Sequence, residues 1–190
     1  HHRSSAASDV YKRQRLRWPH FVKVCKLARD NGAEVKAYIL LKPPYLSEKE
    51  SIDDAVKSAI DAAPHVDKIS INPVNVQKNT VVEKLWFRNE WVAPWLWSVV
   101  DVLKKCEDLP IRVYSDPTGG GTRRGAHNCH DCNKKILQAL NNHRLGLGDL
   151  KGLHCNCKSR WDFLVQQSNL RRNGSEPHGY RSGFSGSRHF

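Results

Sequence analysis

The sequence predicts an α/β fold. It reads as the C-terminal half of a partial TIM-type barrel over residues 15–125, a small cysteine-rich metal-binding appendage over 126–167, and a disordered tail over 168–190. Three observations carry this reading. Apolar β-branched runs alternate with amphipathic helical patterns, and strand–helix–strand–helix–strand implies a parallel sheet with right-handed crossovers. The stretch that holds them, about 110 residues, is near half of the roughly 250 that a closed barrel of this kind takes. After Gly125 the strand pattern stops, and cysteines, histidines and basic residues gather instead.

The chain opens HHRSSAASDVYKRQ. Ser4 to Gln14 can be written back into codons, in one register throughout, as a transposon-end adapter used in preparing sequencing libraries. Residues 1–14 are therefore expected to be artefactual and are set aside. The natural protein is expected to continue upstream of Arg15.

The elements follow in order. Phe21, Val24, Cys25, Leu27 and Ala28 recur at helical spacing, and Asn31-Gly32 stops that helix. Residues 35–41 form an apolar, β-branched and aromatic run, read as a buried strand. It stops at Lys42-Pro43-Pro44, which cannot continue a ladder. Ser47 with Glu50 three residues on makes a capping box. The helix it opens, over 48–63, carries Ile52, Ala55, Val56, Ala59 and Ile60 on one face, and Pro64 ends it. DKISIN, residues 67–72, is a second strand. Helices are expected over 80–89 and over 94–105, the latter with Pro94 as its first residue. A third strand, 111–115, ends in Asp116-Pro117 and the glycines 119–121.

The net charge is +12. The first fourteen residues hold Arg3, Lys12 and Arg13 against Asp9, so about +10 belongs to the rest. Such a surplus favours polyanionic partners without choosing among tRNA, DNA and anionic membrane. No apolar run approaches the roughly 20 residues that span a bilayer, so no membrane partner is expected. Four of the six cysteines are clustered in a chain without secretory features. That favours metal over disulfides and fits a cytoplasmic protein. No G-x-S-x-G elbow, P-loop or H-E-x-x-H is present, which disfavours the common hydrolase and transferase classes.

In parallel α/β architectures ligands sit beyond the carboxyl ends of the strands. Here those ends are rich in Pro, Asn, Gly and charge. Amides can read adenine or amino-acid groups, and glycines let backbone approach a ligand. The same residues are also ordinary loop composition. Trp86, Phe87, Trp91, Trp95 and Trp97 form a dense aromatic stretch. They suit either core packing or stacking on unpaired bases, with Lys84 and Arg88 nearby.

Three segments follow one another: INPVNVQKNTVVEKLW, then APWLWSVVDVL, then SDPTGGGTRRGAHNCHDC. In this order they resemble the radical S-adenosylmethionine subunits of archaeosine synthases, over about residues 21–135. The resemblance implies a partial TIM-type barrel, a 4Fe-4S cluster and S-adenosylmethionine. It also implies a partner, the transglycosylase-like subunit that attaches lysine to 7-cyano-7-deazaguanine at position 15 of archaeal tRNA. The radical subunit then cleaves that adduct to leave the formamidine of archaeosine. By the same resemblance, Asn72, Asn75, Gln77 and Lys78 line the cofactor side. Asp116, Gly119 and Gly120 lie near the substrate by that resemblance, and Lys42, at a strand end, with Arg123 and Arg124, beside the glycine loop, are further candidates for substrate binding. No catalytic residue is assigned. The chain departs from the family in lacking C-x-x-x-C-x-x-C. Cys25 and Cys106 are isolated and read as helix-packing residues. The chain as given is expected not to perform the radical step by itself.

Cys129 and Cys132 form a C-x-x-C, Cys155 and Cys157 a C-x-C, with 22 residues between the pairs. Two such pairs brought together give a tetrahedral four-sulfur site suited to zinc. Lys134, Lys135, Lys158 and Arg160 would favour the thiolates. An auxiliary iron–sulfur cluster, a site in which His127, His130 or His154 replaces a cysteine, and four reduced structural cysteines stay open. A closed zinc site would be structural, stapling a segment with few aliphatic residues. Arg123, Arg124, Lys151, Lys158 and Arg160 rim the cysteines and suit phosphate contact or a solvated surface. Two functions follow. One is the radical enzyme acting with a partner on tRNA. The alternative is a non-catalytic zinc-knuckle module on an α/β scaffold that binds RNA or protein.

Overall fold

Strands β1 (Lys36–Leu41), β2 (Lys68–Pro73) and β3 (Arg112–Ser115) pair in parallel in that order. Each begins one residue later than its sequence pattern suggests. The register places Lys36 beside Lys68 and Lys68 beside Arg112, and carries through to Ile39, Ile71 and Ser115. These coordinates are a computed structural model that describes residues 17–173. The segment 1–14 and residues 174–190 lie outside the described residues.

The strands alternate with a period of two. Ala37, Leu41, Ile69, Ile71 and Val113 are buried on one face. Helix α2 (Glu48–Ala62) packs on β1, and α4 (Leu96–Lys105) packs on β2 and β3. The two helices also touch each other, so they cover that same apolar face. The other face carries Lys36, Tyr38, Leu40, Lys68, Ser70, Asn72, Arg112 and Tyr114. Tyr38 is 63% and Leu40 45% exposed there. The Lys36 ammonium lies over the Tyr38 and Tyr114 rings, 4.4 and 4.9 Å from their centroids. Among the described residues the sheet is open, with three strands. The expected barrel appears among the described residues only as this small parallel sheet.

Helix α1 (Trp18–Asp30) ends where Gly32 adopts a left-handed φ of +78°. Its apolar face is only partly used. Cys25 is buried in the core cluster and Phe21 packs against it, but Val24 and Leu27 are exposed; the helix also packs on the short turn Ala63–His65. Helix α2 begins with the expected capping box: the Ser47 side chain accepts from the Glu50 N–H, and the Glu50 carboxylate accepts from the Ser47 N–H. Helix α3 (Val81–Phe87) takes Thr80 as its N-cap. Helix α4 starts later than expected. Trp95 is its N-cap and Pro94 lies outside it, with its carbonyl accepting from the His127 N–H at 3.1 Å.

Residues 126–167 contain two helices where the sequence pattern suggested none, α5 (His130–Leu145) and α6 (Lys158–Asn173). They do not form a separate appendage. Helix α5 packs on β3 and α4, and α6 packs on α2. Cys132, Ile136, Leu140, Leu150 and Trp161 join the same hydrophobic cluster as Leu41, Ile52, Ile71 and Val99. The backbone of α6 continues to Asn173, inside the segment expected to be a disordered tail. No helix among the described residues is long and apolar enough to cross a membrane.

Candidate metal centre and strand-end groove

The fold brings both cysteine pairs to helix N-termini. Cys129 caps α5, Cys132 lies in its first turn, and Cys157 immediately precedes α6. The positive end of a helix dipole favours a thiolate at such a position. All four sulfurs lie within 4.8 Å of one another. The Cys129–Cys132, Cys129–Cys155 and Cys132–Cys157 distances are each 3.6 Å. A single tetrahedral ion with bonds of about 2.3 Å to sulfur sets its ligands about 3.8 Å apart. The four cysteines therefore form a cluster that can hold a metal ion. The group contains no histidine. His127 Nδ1 meets the Gly125 carbonyl at 2.8 Å, and His130 and His154 are exposed.

The thiols interact strongly. Burial raises Cys129, but the Cys132 backbone and hydrogen bonds from the other cysteines outweigh it and bring Cys129 down to about 7. Cys132 is raised, first by burial and then by the Cys129 and Cys157 thiols. At Cys155 the Cys157 backbone pulls down, yet the Cys129 thiol and burial leave it raised.

Around the sulfurs lies a shell that the sequence pattern did not disclose. The Trp97 indole N–H donates to Cys157 Sγ at 3.4 Å. The Trp97 backbone N–H donates to Asn128 Oδ1 at 3.2 Å, and the Asn128 N–H donates to Asn133 Oδ1 at 2.6 Å. Helix α4 is thus tied to the cysteine loop at two points. A second buried chain runs beside it. Trp161 Nε1 donates to Ser98 Oγ at 2.7 Å, Ser98 Oγ donates at 2.5 Å to Glu48 Oε1, and Glu48 Oε2 pairs with Lys42. Glu48 Oε1 also accepts from the Trp95 N–H at 2.8 Å.

This network places Lys42 differently from its expected substrate role. Its ammonium points to Glu48 in the interior, and its backbone holds a left-handed φ of +61°. Arg124 is likewise committed to the protein. It pairs with Glu83 at 2.6 Å, donates to the Val76 carbonyl at 3.3 Å and lies over the Trp86 ring. Arg124 and the Asn79 N–H hold the Glu83 carboxyl below its usual range. The glycine loop is packed against the chain itself. A Cβ on Gly120 would come within 2.7 Å of Leu137, and one on Gly125 within 2.2 Å of the Gly119 carbonyl oxygen. Close approach is what these glycines provide, but the neighbour is α5 and the loop itself. Gly119, with a φ of +70°, sits beside Asn75.

Other expected residues do meet. Asn72, Asn75, Gln77 and Asp116 line one groove of about 390 Å³ beyond the strand ends, with Pro43 and Thr118. Asn75 Nδ2 donates to the Thr118 carbonyl at 3.1 Å, and Asn75 Oδ1 accepts from Gln77 Nε2 at 2.7 Å. Lys78 is exposed and does not line this groove. Arg123 lines a second groove, on the side of the aromatic residues.

The chain is similar to archaeosine synthase subunit beta. With that protein from Methanosarcina acetivorans it shares 41% identity over 152 residues, 77% of this chain and 43% of the relative. With the one from Thermococcus kodakarensis it shares 40% over 155 residues, 79% of this chain and 48% of the relative. An uncharacterized protein of Methanocaldococcus jannaschii is 32% identical over 154 residues, 78% of this chain and 42% of the relative. The chain thus spans less than half the length of each of these relatives. No protein-family profile matches it.

Two helical signals could have exposed the shell around the cysteines. Cys132, Ile136 and Leu140 recur every four residues, as do Cys157, Trp161 and Val165. The first series puts Cys132 on the buried face of α5, and the second aligns Cys157, just before α6, with the inward-facing Trp161. The contact of Trp97 with Cys157 joins residues 60 apart and has no local signal.

Proposed function

We propose that this chain is the part of an archaeosine synthase beta-type subunit that builds the strand-end ligand groove and carries a structural zinc site. The similarity to two subunits of that name, at 40 and 41% identity over more than three-quarters of the chain, carries the reading. The groove adds support, because Asn72, Asn75, Gln77 and Asp116 meet at the carboxyl edge of a parallel sheet, where such folds bind ligands. The uncovered polar face of the sheet fits the inner wall of a TIM-type barrel completed by further strands.

In this reading the amide-lined groove holds S-adenosylmethionine, which would supply the radical that breaks the lysine adduct on tRNA. Asn75 and Gln77 hold each other in place and present amides to the adenine or amino-acid group. Asp116 faces the same space and suits a cationic substrate amine. The 4Fe-4S cluster of that chemistry has no ligand set here, since the chain holds no C-x-x-x-C-x-x-C. These residues therefore contribute binding and positioning. The four-cysteine site is a poor fit to a second cluster, which interposes iron and sulfide atoms and spreads its thiolates. Sulfurs 3.6 Å apart suit one zinc ion in a closed, non-catalytic site. The partners are tRNA and the transglycosylase-like subunit.

The test is a chimera. Residues 17–173 replace the matching part of the Thermococcus kodakarensis subunit in a strain lacking that subunit, and tRNA nucleosides are read by mass spectrometry. Restored archaeosine is expected. A folded chimera that leaves the lysine adduct uncleaved would sink the reading. It would favour a non-catalytic zinc-knuckle binding module, to which the closed metal site also conforms.

A further inference from the structure

The aromatic stretch builds a second groove, remote in character from the strand-end groove. It encloses about 580 Å³ and is walled by Trp86, Phe87, Trp91 and Trp95, with Arg123 and Arg160 at its edges. That volume lies within the roughly 300–1,000 Å³ of small-ligand sites. No carboxylate among the described residues lines it.

Three of the walls are held by the protein. Arg124 lies 5.1 Å from the Trp86 ring centroid and is itself anchored by Glu83 and the Val76 carbonyl. Trp91 Nε1 donates to the Lys42 carbonyl at 3.3 Å. The Trp95 backbone is fixed by Glu48. Phe87 is different: it is 68% exposed although it packs beside Trp86. An exposed ring next to fixed indoles and two arginines pairs a stacking platform with a cationic edge. The His127 ring also lines the groove, turned to the Gly125 carbonyl. Arg160 comes from α6, just beyond Cys157, so the metal site sets where that cation stands.

We propose that this groove binds an unpaired nucleotide of an RNA, the base stacked on the aromatic walls and the phosphate met by Arg123 and Arg160. The charge favours this occupant. The described lining has no acid, and about +10 of the net charge of +12 lies outside the first fourteen residues. Aromatic platforms beside cations take unpaired bases, whereas duplex bases keep their faces stacked on one another. The proposal rests on the RNA-directed reading above and adds where the RNA is held. Lys84 and Arg88, adjacent in sequence, do not line the groove; Arg123 and Arg160 from distant segments do.

The experiment uses fluorescence anisotropy. A fluorescein-labelled single-stranded oligoribonucleotide without self-complementarity, and its duplex, are titrated with the full chain. The variants are Phe87→Ala, Arg123→Ala and Lys104→Ala, the last an exposed cation outside the groove. Phe87→Ala is expected to weaken single-strand binding by roughly 5- to 150-fold. Arg123→Ala is expected to flatten the plot of log affinity against log salt by about 0.7. Lys104→Ala leaves the stacking loss absent, and the duplex is insensitive to Phe87→Ala. If the chain binds the single strand and both groove variants match it, the groove is not the site, while an RNA role stands. If the chain binds no RNA, both fall. If the groove variants lose binding but the chimera leaves the adduct intact, the groove stands and the archaeosine reading falls.

Discussion

Trp97 is the residue through which helix α4 reaches the cysteines. Its indole N–H donates to Cys157, and its backbone N–H is held by Asn128. Hydrogen bonds to a metal-bound thiolate disperse its charge and fix its direction, and losing such an outer partner typically costs 10- to 100-fold in metal affinity. Trp97→Phe keeps most of the buried ring and removes the donor. We expect it to lower zinc affinity by roughly 10- to 100-fold in a competition titration with a chromophoric chelator, with near-native helix content. Unchanged affinity would mean that the contact is packing alone. Asn128 adds to this shell: its Oδ1 and backbone N–H are engaged, and its buried side-chain amide faces the Cys132 thiol and favours the thiolate there. Its position directly before the first cysteine is visible in the sequence; its bond to α4 is not. Lys42 teaches the same lesson. A lysine at a strand end reads as a ligand-binding cation, and only the tertiary pairing with Glu48 shows that it is spent inside.

At the scale of elements, local chemistry was the most legible part. The Ser47 capping box forms as its spacing suggests, and Asn31-Gly32 stops α1. Helices α5 and α6 were hidden because loops and cysteines broke up their surroundings, although α5 holds a four-residue recurrence of buried positions and the α6 segment one of buried and half-buried positions. The C-terminal turn of α5 also carries a titrating group. Burial, then the Arg112 guanidinium, hold His143 below the usual histidine range, with Asp149 pulling the other way. Its Nδ1 is buried with no hydrogen-bond partner. The sign follows from linkage. Above the unfolded value near 6.5 the ring is neutral in both states and costs nothing. As pH falls below that, the unfolded chain takes the proton first, and stability is lost until the folded-state value is passed. His143→Gln removes this share. Between about pH 7.5 and about pH 5.5 the melting temperature of the variant should fall less than that of the parent. Equal falls would place the acid sensitivity elsewhere.

For the whole molecule, the cysteine-rich segment is built into the α/β core. The sequence suggests an appendage stapled by its own metal, because the segment has few aliphatic residues and no strand pattern. The structure gives it a shared core instead. Trp161 reaches Ser98 and Glu48 on α4 and α2, while Ile136 and Leu140 pack into the cluster below β3. Strand order and register follow from the alternating pattern. The packing of α5 and α6 depends on contacts between residues 25 to 63 positions apart, which no local period records. One consequence separates the two pictures. If the metal staples only a peripheral knuckle, removing it loosens residues 126–167 alone. If the centre is part of the core, α4 loses its ties to Asn128 and Cys157 at the same time. The direct measurement is amide hydrogen exchange by mass spectrometry on the full chain, before and after stripping the metal with a chelator. Residues 96–105 are expected to lose protection together with the cysteine loops and α6. Full protection of α4 in the stripped protein, or no change anywhere, would contradict it.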